Sequence, residues 1–150
     1  MSFVKQVVDK AKPYGYEIVL TGHSLGGGLA AYAALACEQQ AVVFNAAGMG
    51  KGLRSKIFAN LYDFEALVKR VDLNGDPVSA LGNRVGTTYT LQVPASMIGQ
   101  NGFVDNRSLV TGPLVALNPD AAGKPHAVTI NPIAYHSIDT VVKVLQSIAK

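Results

Sequence analysis

Hydrophobic and polar positions follow two periods along this chain. Between residues 2 and 12, Phe3, Val4, Val7, Val8 and Ala11 recur at helical spacing, with Lys5, Gln6, Asp9 and Lys10 opposite. That pattern predicts an amphipathic helix, stopped by Pro13 and Gly15. The apolar run Ile18-Val19-Leu20 predicts a strand over about residues 17–21. A helix from Ser24 to about residue 39 follows, built from Gly26, Gly27, Gly28, Ala30, Ala31, Ala33, Ala34 and Ala36. Glycine weakens a helix by up to ~1 kcal/mol relative to alanine, so such a run makes sense only where the helix lies very close to its sheet. Residues 41–46 (AVVFNA) read as a strand buried on both faces of a parallel sheet. Strand, helix and strand form a βαβ unit with a right-handed crossover.

Farther along, residues 54–67 read as helix and 68–73 as the next strand, ending in the turn Asn74-Gly75-Asp76-Pro77-Val78. Residues 87–93 (TTYTLQV) read as a further strand. Residues 94–125 are rich in Gly, Asn, Asp, Pro and Ser without a sustained period and read as a long loop, a feature often tied to function. Residues 127–130 read as a short strand. From Ser137, a candidate N-cap, the apolar stripe Ile138, Val141, Val142, Leu145, Ile148 predicts a last amphipathic helix. No internal repeat or linker interrupts the chain, so residues 1–150 are expected to form one α/β domain, a mostly parallel sheet with flanking helices.

Composition narrows the function classes. A hydrophobic content of 49% with 15% charged residues fits a packed core. The net charge of +3 is scattered, which argues against a nucleic-acid partner and gives only a weak attraction to an anionic lipid surface. Cys37 is the one cysteine and is expected to be a small buried residue of the second helix. No stretch reaches the ~18 apolar residues of a membrane span, and the first residues lack the apolar core of a signal peptide. The loop AAGMGKGL is not a phosphate cradle, because Asn45 and Gly52 stand where a glycine and a Ser or Thr are required. No cluster of His, Cys, Asp and Glu has metal-ligand spacing, so neither a metal nor a cofactor is expected.

The chemistry concentrates at Gly22-His23-Ser24-Leu25-Gly26, a G-x-S-x-G pattern between a strand and a helix. In that setting a serine is forced onto a sharp turn at the top of a sheet, and flanking glycines relieve the crowding. This stretch, extended through VLTGHSLGGGLAAYAAL, AVVFNAAG and LNGDPVSAL, resembles the α/β-hydrolase lipases, and among them the class 3 lipases. The resemblance covers about the first half of the chain and fades beyond residue 90. It implies a partial α/β-hydrolase fold.

A serine hydroxyl needs a base, and the base needs a carboxylate to orient it. The order Ser, Asp, His is met by Ser24, Asp76 and His136. Asp76 lies in a strand-end turn, unlike Asp63 and Glu65 in an expected helix or Asp72 within a strand, and Asp76-Pro77-Val78 matches the family's Asp-x-Val element. His136 stands at the loop-to-helix junction where the family places its base, with His126 the alternative. By resemblance, Gly22, His23 and Gly26 support the elbow, and the Leu25 backbone N–H is one oxyanion donor.

The second oxyanion donor of this fold comes from a loop well upstream of the elbow. Only 23 residues precede Ser24, so N-terminal strands are expected to be missing and the elbow strand to offer an open edge. A longer polypeptide, a second chain or self-association would complete the sheet. The leading reading is a serine hydrolase of lipid or small esters, without resolving lipase, phospholipase, esterase or thioesterase. Its rivals are a catalytically inactive remnant serving binding or assembly, and a lipid-surface module using the 94–125 loop.

Overall fold

The computed structural model describes residues 2–57, 64–94, 97, 114–119, 125–130 and 135–149. They fall into two compact units, Met1–Asp72 with Val78–Thr90, and Leu73–Pro77 with Leu91–Lys150. In chain order come α1 (Ser2–Ala11), β1 (Val19–His23), α2 (Ser24–Cys37), β2 (Gln40–Phe44), α3 (Lys51–Ile57), β3 (Val68–Leu73) and β4 (Thr87–Leu91). After them come β5 (Leu114–Pro119), β6 (Pro125–Ile130) and α4 (Ile138–Ile148).

The main sheet has the order β1-β2-β3-β4. Strands β1 and β2 are parallel from Val19↔Gln40 to His23↔Phe44, and β2 and β3 from Ala41↔Val68 to Phe44↔Val71. Gly86 lies against Val68, and the Asn74 N–H donates to the Leu91 carbonyl at 2.8 Å, so β4 runs in the same direction as β3. This is the expected α/β architecture. Among the described residues β1 has a neighbour on one side only, and Val19 is half exposed.

Helix α2 buries Gly27, Ala30, Ala31, Ala34 and Leu35, which follow i, i+3, i+4, i+7, i+8 and so form one face. That face joins Ala41 and Val43 of β2, Ala46, Met49, Val68 and Val85 in a continuous core. Small residues let the helix approach its sheet. The turn from β1 into α2 is tighter still: a Cβ on Gly22 would overlap the Gly26 carbonyl, whereas a Cβ on Gly26 would meet open space. The two elbow glycines therefore differ in kind, and only Gly22 is required by crowding. Open space beside Gly26 belongs to an apolar groove of about 640 Å³ lined by Phe3, Val7, Ile18, Leu20 and Leu29.

Several expectations shift. Strand β1 starts later than expected and runs through His23 straight into Ser24, with no intervening loop. Strand β2 alternates, with Ala41 and Val43 buried and Val42 and Phe44 half-buried, instead of being sealed on both faces. The helix expected over 54–67 is α3 at Lys51–Ile57 and a separate 3-10 turn at Phe64–Leu67; Asp63 lies outside the described residues. Cys37 is half-buried at the end of α2.

In the second unit, β5 lies inside the stretch read as loop. Its four apolar residues, Leu114 to Leu117, are too few to show a period, and the pairing that makes them a strand comes from β6. Prolines 119 and 125 face each other at the end of that antiparallel ladder, where a missing N–H is tolerated. In α4 the buried line is Thr140, Val141 and Val144, while Ile138, Val142, Leu145 and Ile148 stay exposed. The apolar stripe is wider than the face the unit covers. Ser137 occupies the N-cap position, but its backbone carbonyl, not its hydroxyl, receives the Thr140 and Val141 N–H groups.

Two pairs of substitutions probe this packing. Ala34→Leu is expected to cost at least about 1–3 kcal/mol through overpacking, and Ala36→Leu, on an exposed position, less than about 0.5 kcal/mol. Gly22→Ala is likewise expected to lower stability by at least about 1–3 kcal/mol, because backbone must move. Gly26→Ala should leave it equal or raise it by up to ~1 kcal/mol through helix propensity. Denaturant midpoints of the four variants check all these values.

Candidate active site

The turn between β1 and α2 holds Ser24 in an uncommon conformation. Among the described residues, three non-glycine residues have positive φ: Ser24 at 58°, Glu38 at 53° and Asn45 at 41°. Glu38 closes α2 with a left-handed cap, and asparagine tolerates this region through its short polar side chain. Ser24 has neither excuse. It follows His23 in extended conformation (φ −119°, ψ 147°) and is the first residue of the helix, so the chain reverses direction at the serine itself. Such a conformation costs on the order of 1–3 kcal/mol and persists only where neighbours enforce it. One enforcing contact is direct: the Ala47 N–H donates to the Ser24 carbonyl at 3.0 Å.

Leu25 is the second residue of α2. Its backbone N–H is among the four that an α-helix leaves without an intrahelical partner. The His23 side chain makes no capping bond to this turn, and the turn carries no acidic residue. The positive end of the helix dipole is thus not offset by a carboxylate of its own first turn.

In the second unit, residues 60 apart in sequence meet: Asp76 Oδ1 lies 2.8 Å from His136 Nδ1. Asp76 sits in the turn after β3, where its N–H donates to the Leu73 carbonyl at 3.1 Å, and its side chain is fully buried. His136 keeps 19% of its side chain accessible. An ionised carboxylate only accepts, so a neutral imidazole bound to it carries its proton on Nδ1 and leaves Nε2 as the acceptor. Beside the pair, the Tyr135 ring covers the Gly75 turn, and burial pushes its phenol up from the ordinary value. The ring therefore stays neutral through the physiological range. The stability linked to that shift is complete below a pH of about 10 and is lost only as pH climbs through the raised value.

Of the expected site residues, Asp76 and His136 are brought together. Ser24, Leu25, Gly22, His23 and Gly26 assemble the turn of the first unit. His126 lies in β6 with its backbone opposite Asn118.

Sequence reasoning passed over Arg70 and set Asp72 aside as a strand residue. Both are buried, and Arg70 Nη2 stands 3.1 Å from Asp72 Oδ2. The available signal was their i, i+2 spacing, which puts opposite charges on one face of a strand. Among the described residues no three His, Cys, Asp or Glu are grouped to hold a metal ion, and no helix is long and apolar enough to cross a membrane.

Comparison with known proteins identifies the setting of these residues. Residues 4–133, which include Ser24 and Asp76, match the phospholipase-like family described as the Tle-like phospholipase domain. Over 103 residues the chain is 64% identical to the extracellular phospholipase A1 of Serratia liquefaciens, a match covering 66% of this chain. The chain spans 31% of the length of that curated relative. The lipase-type resemblance read from the sequence is thus matched by a phospholipase-like family, and the chain belongs to the Tle-like phospholipase family.

Proposed function

We propose that this chain carries the nucleophile, base and orienting carboxylate of a phospholipid carboxylic-ester hydrolase that works through an acyl-enzyme. The observation that supports this most is the 2.8 Å contact of His136 Nδ1 with the buried Asp76 carboxylate. It favours His136 over His126 as the base. The strained Ser24 at the mouth of α2 is the second support.

In this reading Ser24 Oγ attacks the acyl carbonyl and gives its proton to His136 Nε2. Asp76 holds the imidazole in the tautomer that leaves Nε2 basic and stabilises the imidazolium that forms. The Leu25 N–H donates to the carbonyl oxygen as negative charge builds there, serving as one oxyanion donor. Collapse expels the lysophospholipid alcohol, which takes the proton from Nε2, and a water molecule then releases the fatty acid by the same route in reverse. The name of the Serratia relative supports an acyl ester of a glycerophospholipid as substrate, met at a lipid surface. No metal or redox step enters. A second oxyanion donor and a strand along the open edge of β1 are supplied from outside the described residues. Light scattering under assay conditions assigns them: a monomer points to the same polypeptide, a dimer to a second copy.

Phospholipid hydrolysis by the full protein is expected to fall by at least about 10³-fold in Ser24→Ala and in His136→Ala, and Asp76→Asn should lose about as much. His126→Ala should keep most activity. A fluorophosphonate probe should label the wild type and not Ser24→Ala. Folded wild-type protein that neither labels nor hydrolyses phospholipid would establish the inactive remnant instead.

A further inference from the structure

Arg70 and Asp72 share one face of β3 and are sealed from solvent, 1% and 2% exposed. The guanidinium serves two acceptors. Its Nε and Nη2 donate to Asp72 Oδ2 at 3.2 and 3.1 Å, and Nη2 also donates to the Ala46 carbonyl at 2.6 Å. Stability alone is a poor reason for this arrangement, because taking two charges out of water often costs as much as their attraction returns. The carbonyl supplies a better one.

Ala46 belongs to the short turn after β2, in which Ala46 and Ala47 bear on the elbow. The Asn45 N–H donates to the Val71 carbonyl at 3.0 Å, tying the turn to β3. The Ala46 side chain is the surface on which α2 rests: a Cβ at Gly27 would come within 2.7 Å of Ala46 Cβ. A Cβ at Gly28 would stand 2.8 Å from the Ala47 carbonyl oxygen. The Ala47 N–H, the next polar group after the Ala46 carbonyl, holds the Ser24 carbonyl. A continuous chain of contacts therefore runs from Asp72 through Arg70, Ala46 and Ala47 to the backbone of Ser24. All of these atoms lie in the first unit.

We infer that Arg70, neutralised by Asp72, is a positioning residue for the Ser24 hydroxyl: it fixes the Ala46–Ala47 peptide that keeps Ser24 at its strained φ. The inference rests on the reading of Ser24 as nucleophile. Arginine suits the task because its planar fork reaches a carboxylate and a carbonyl together, which a lysine ammonium does not do in the same geometry. Arg70 touches no substrate. It acts through the turn.

The test uses the full protein with two variants, Arg70→Lys and the double variant Arg70→Met with Asp72→Leu, which removes both charges and leaves none stranded. Active sites are counted by fluorophosphonate labelling taken to completion, and turnover on phospholipid vesicles is expressed per labelled site. A misplaced nucleophile is expected to lower turnover per site by about 10²-fold in the double variant and at least about tenfold in Arg70→Lys, with KM changed less than about threefold. A merely structural pair would lower the number of labelled sites and leave each at wild-type turnover, and that result overturns the inference. So does a rise in KM at unchanged turnover. Should the double variant not fold, Arg70→Lys decides by the same criterion. Ser24→Ala, run alongside, separates the two readings: if it keeps full activity, the serine mechanism fails, whatever Arg70 does.

Discussion

The contact between the Ala47 N–H and the Ser24 carbonyl, 3.0 Å long, ties the end of one strand to the start of the helix that leaves its neighbour. It can form only if α2 lies almost on top of the turn after β2, and that approach dictates the composition of the helix. Gly27 touches Ala46, Gly28 touches Ala47, and the rest of the buried face is alanine with one leucine. The glycines give up helix propensity, up to about 1 kcal/mol each relative to alanine, and the small residues together give up apolar area that larger ones would bury. The arrangement persists because closeness holds Ser24 where an unconstrained serine would not stay.

Two aspartates four positions apart illustrate how surroundings, not residue type, assign roles. Asp72 points from β3 into the first unit, where two nitrogens of a guanidinium donate to its Oδ2. Asp76, one turn later, has its carboxylate against an imidazole that still reaches solvent. The first charge is tied to a permanent cation, so it has nothing to exchange with a reacting group. The second faces an imidazole, and under the proposed mechanism it stabilises the imidazolium that forms. Distinguishing them from sequence needed only the strand boundary, since one lies inside β3 and the other beyond it.

Where sequence reasoning succeeded, the determining contacts were local. The β1–α2–β2 unit could be read because a strand, a G-x-S-x-G turn and a small-residue helix each carry their own signature within about ten residues. Where it failed, the deciding partner was remote. Strand β5 shows too few apolar residues to announce itself and exists through its ladder with β6. In α4 the stripe was visible, yet which part of it would be covered depended on the surface it meets, and Thr140 is buried while Ile148 is not. Gly26 was given the same reason as Gly22 because the motif lists them alike; only coordinates distinguish the glycine against backbone from the one facing a groove. The burial of Arg70 depends on the Ala46 carbonyl 24 residues away, which nothing beside it in the sequence announces.

The site elements differ in how they are held, and that difference fits what each must do. Ser24 is fixed by backbone contacts and by small side chains packed close to them, which suits the nucleophile role proposed for it. Asp76 is carried by the turn after β3 and His136 by helical residues just before α4, with Tyr135 closing over Gly75 beside them. Burial holds the Asp76 carboxylate out of water, while the imidazole bonded to it keeps partial access to solvent. Strained backbone at Ser24, a buried carboxylate and an accessible ring are thus three different environments, and under the proposed mechanism each suits the role given to it.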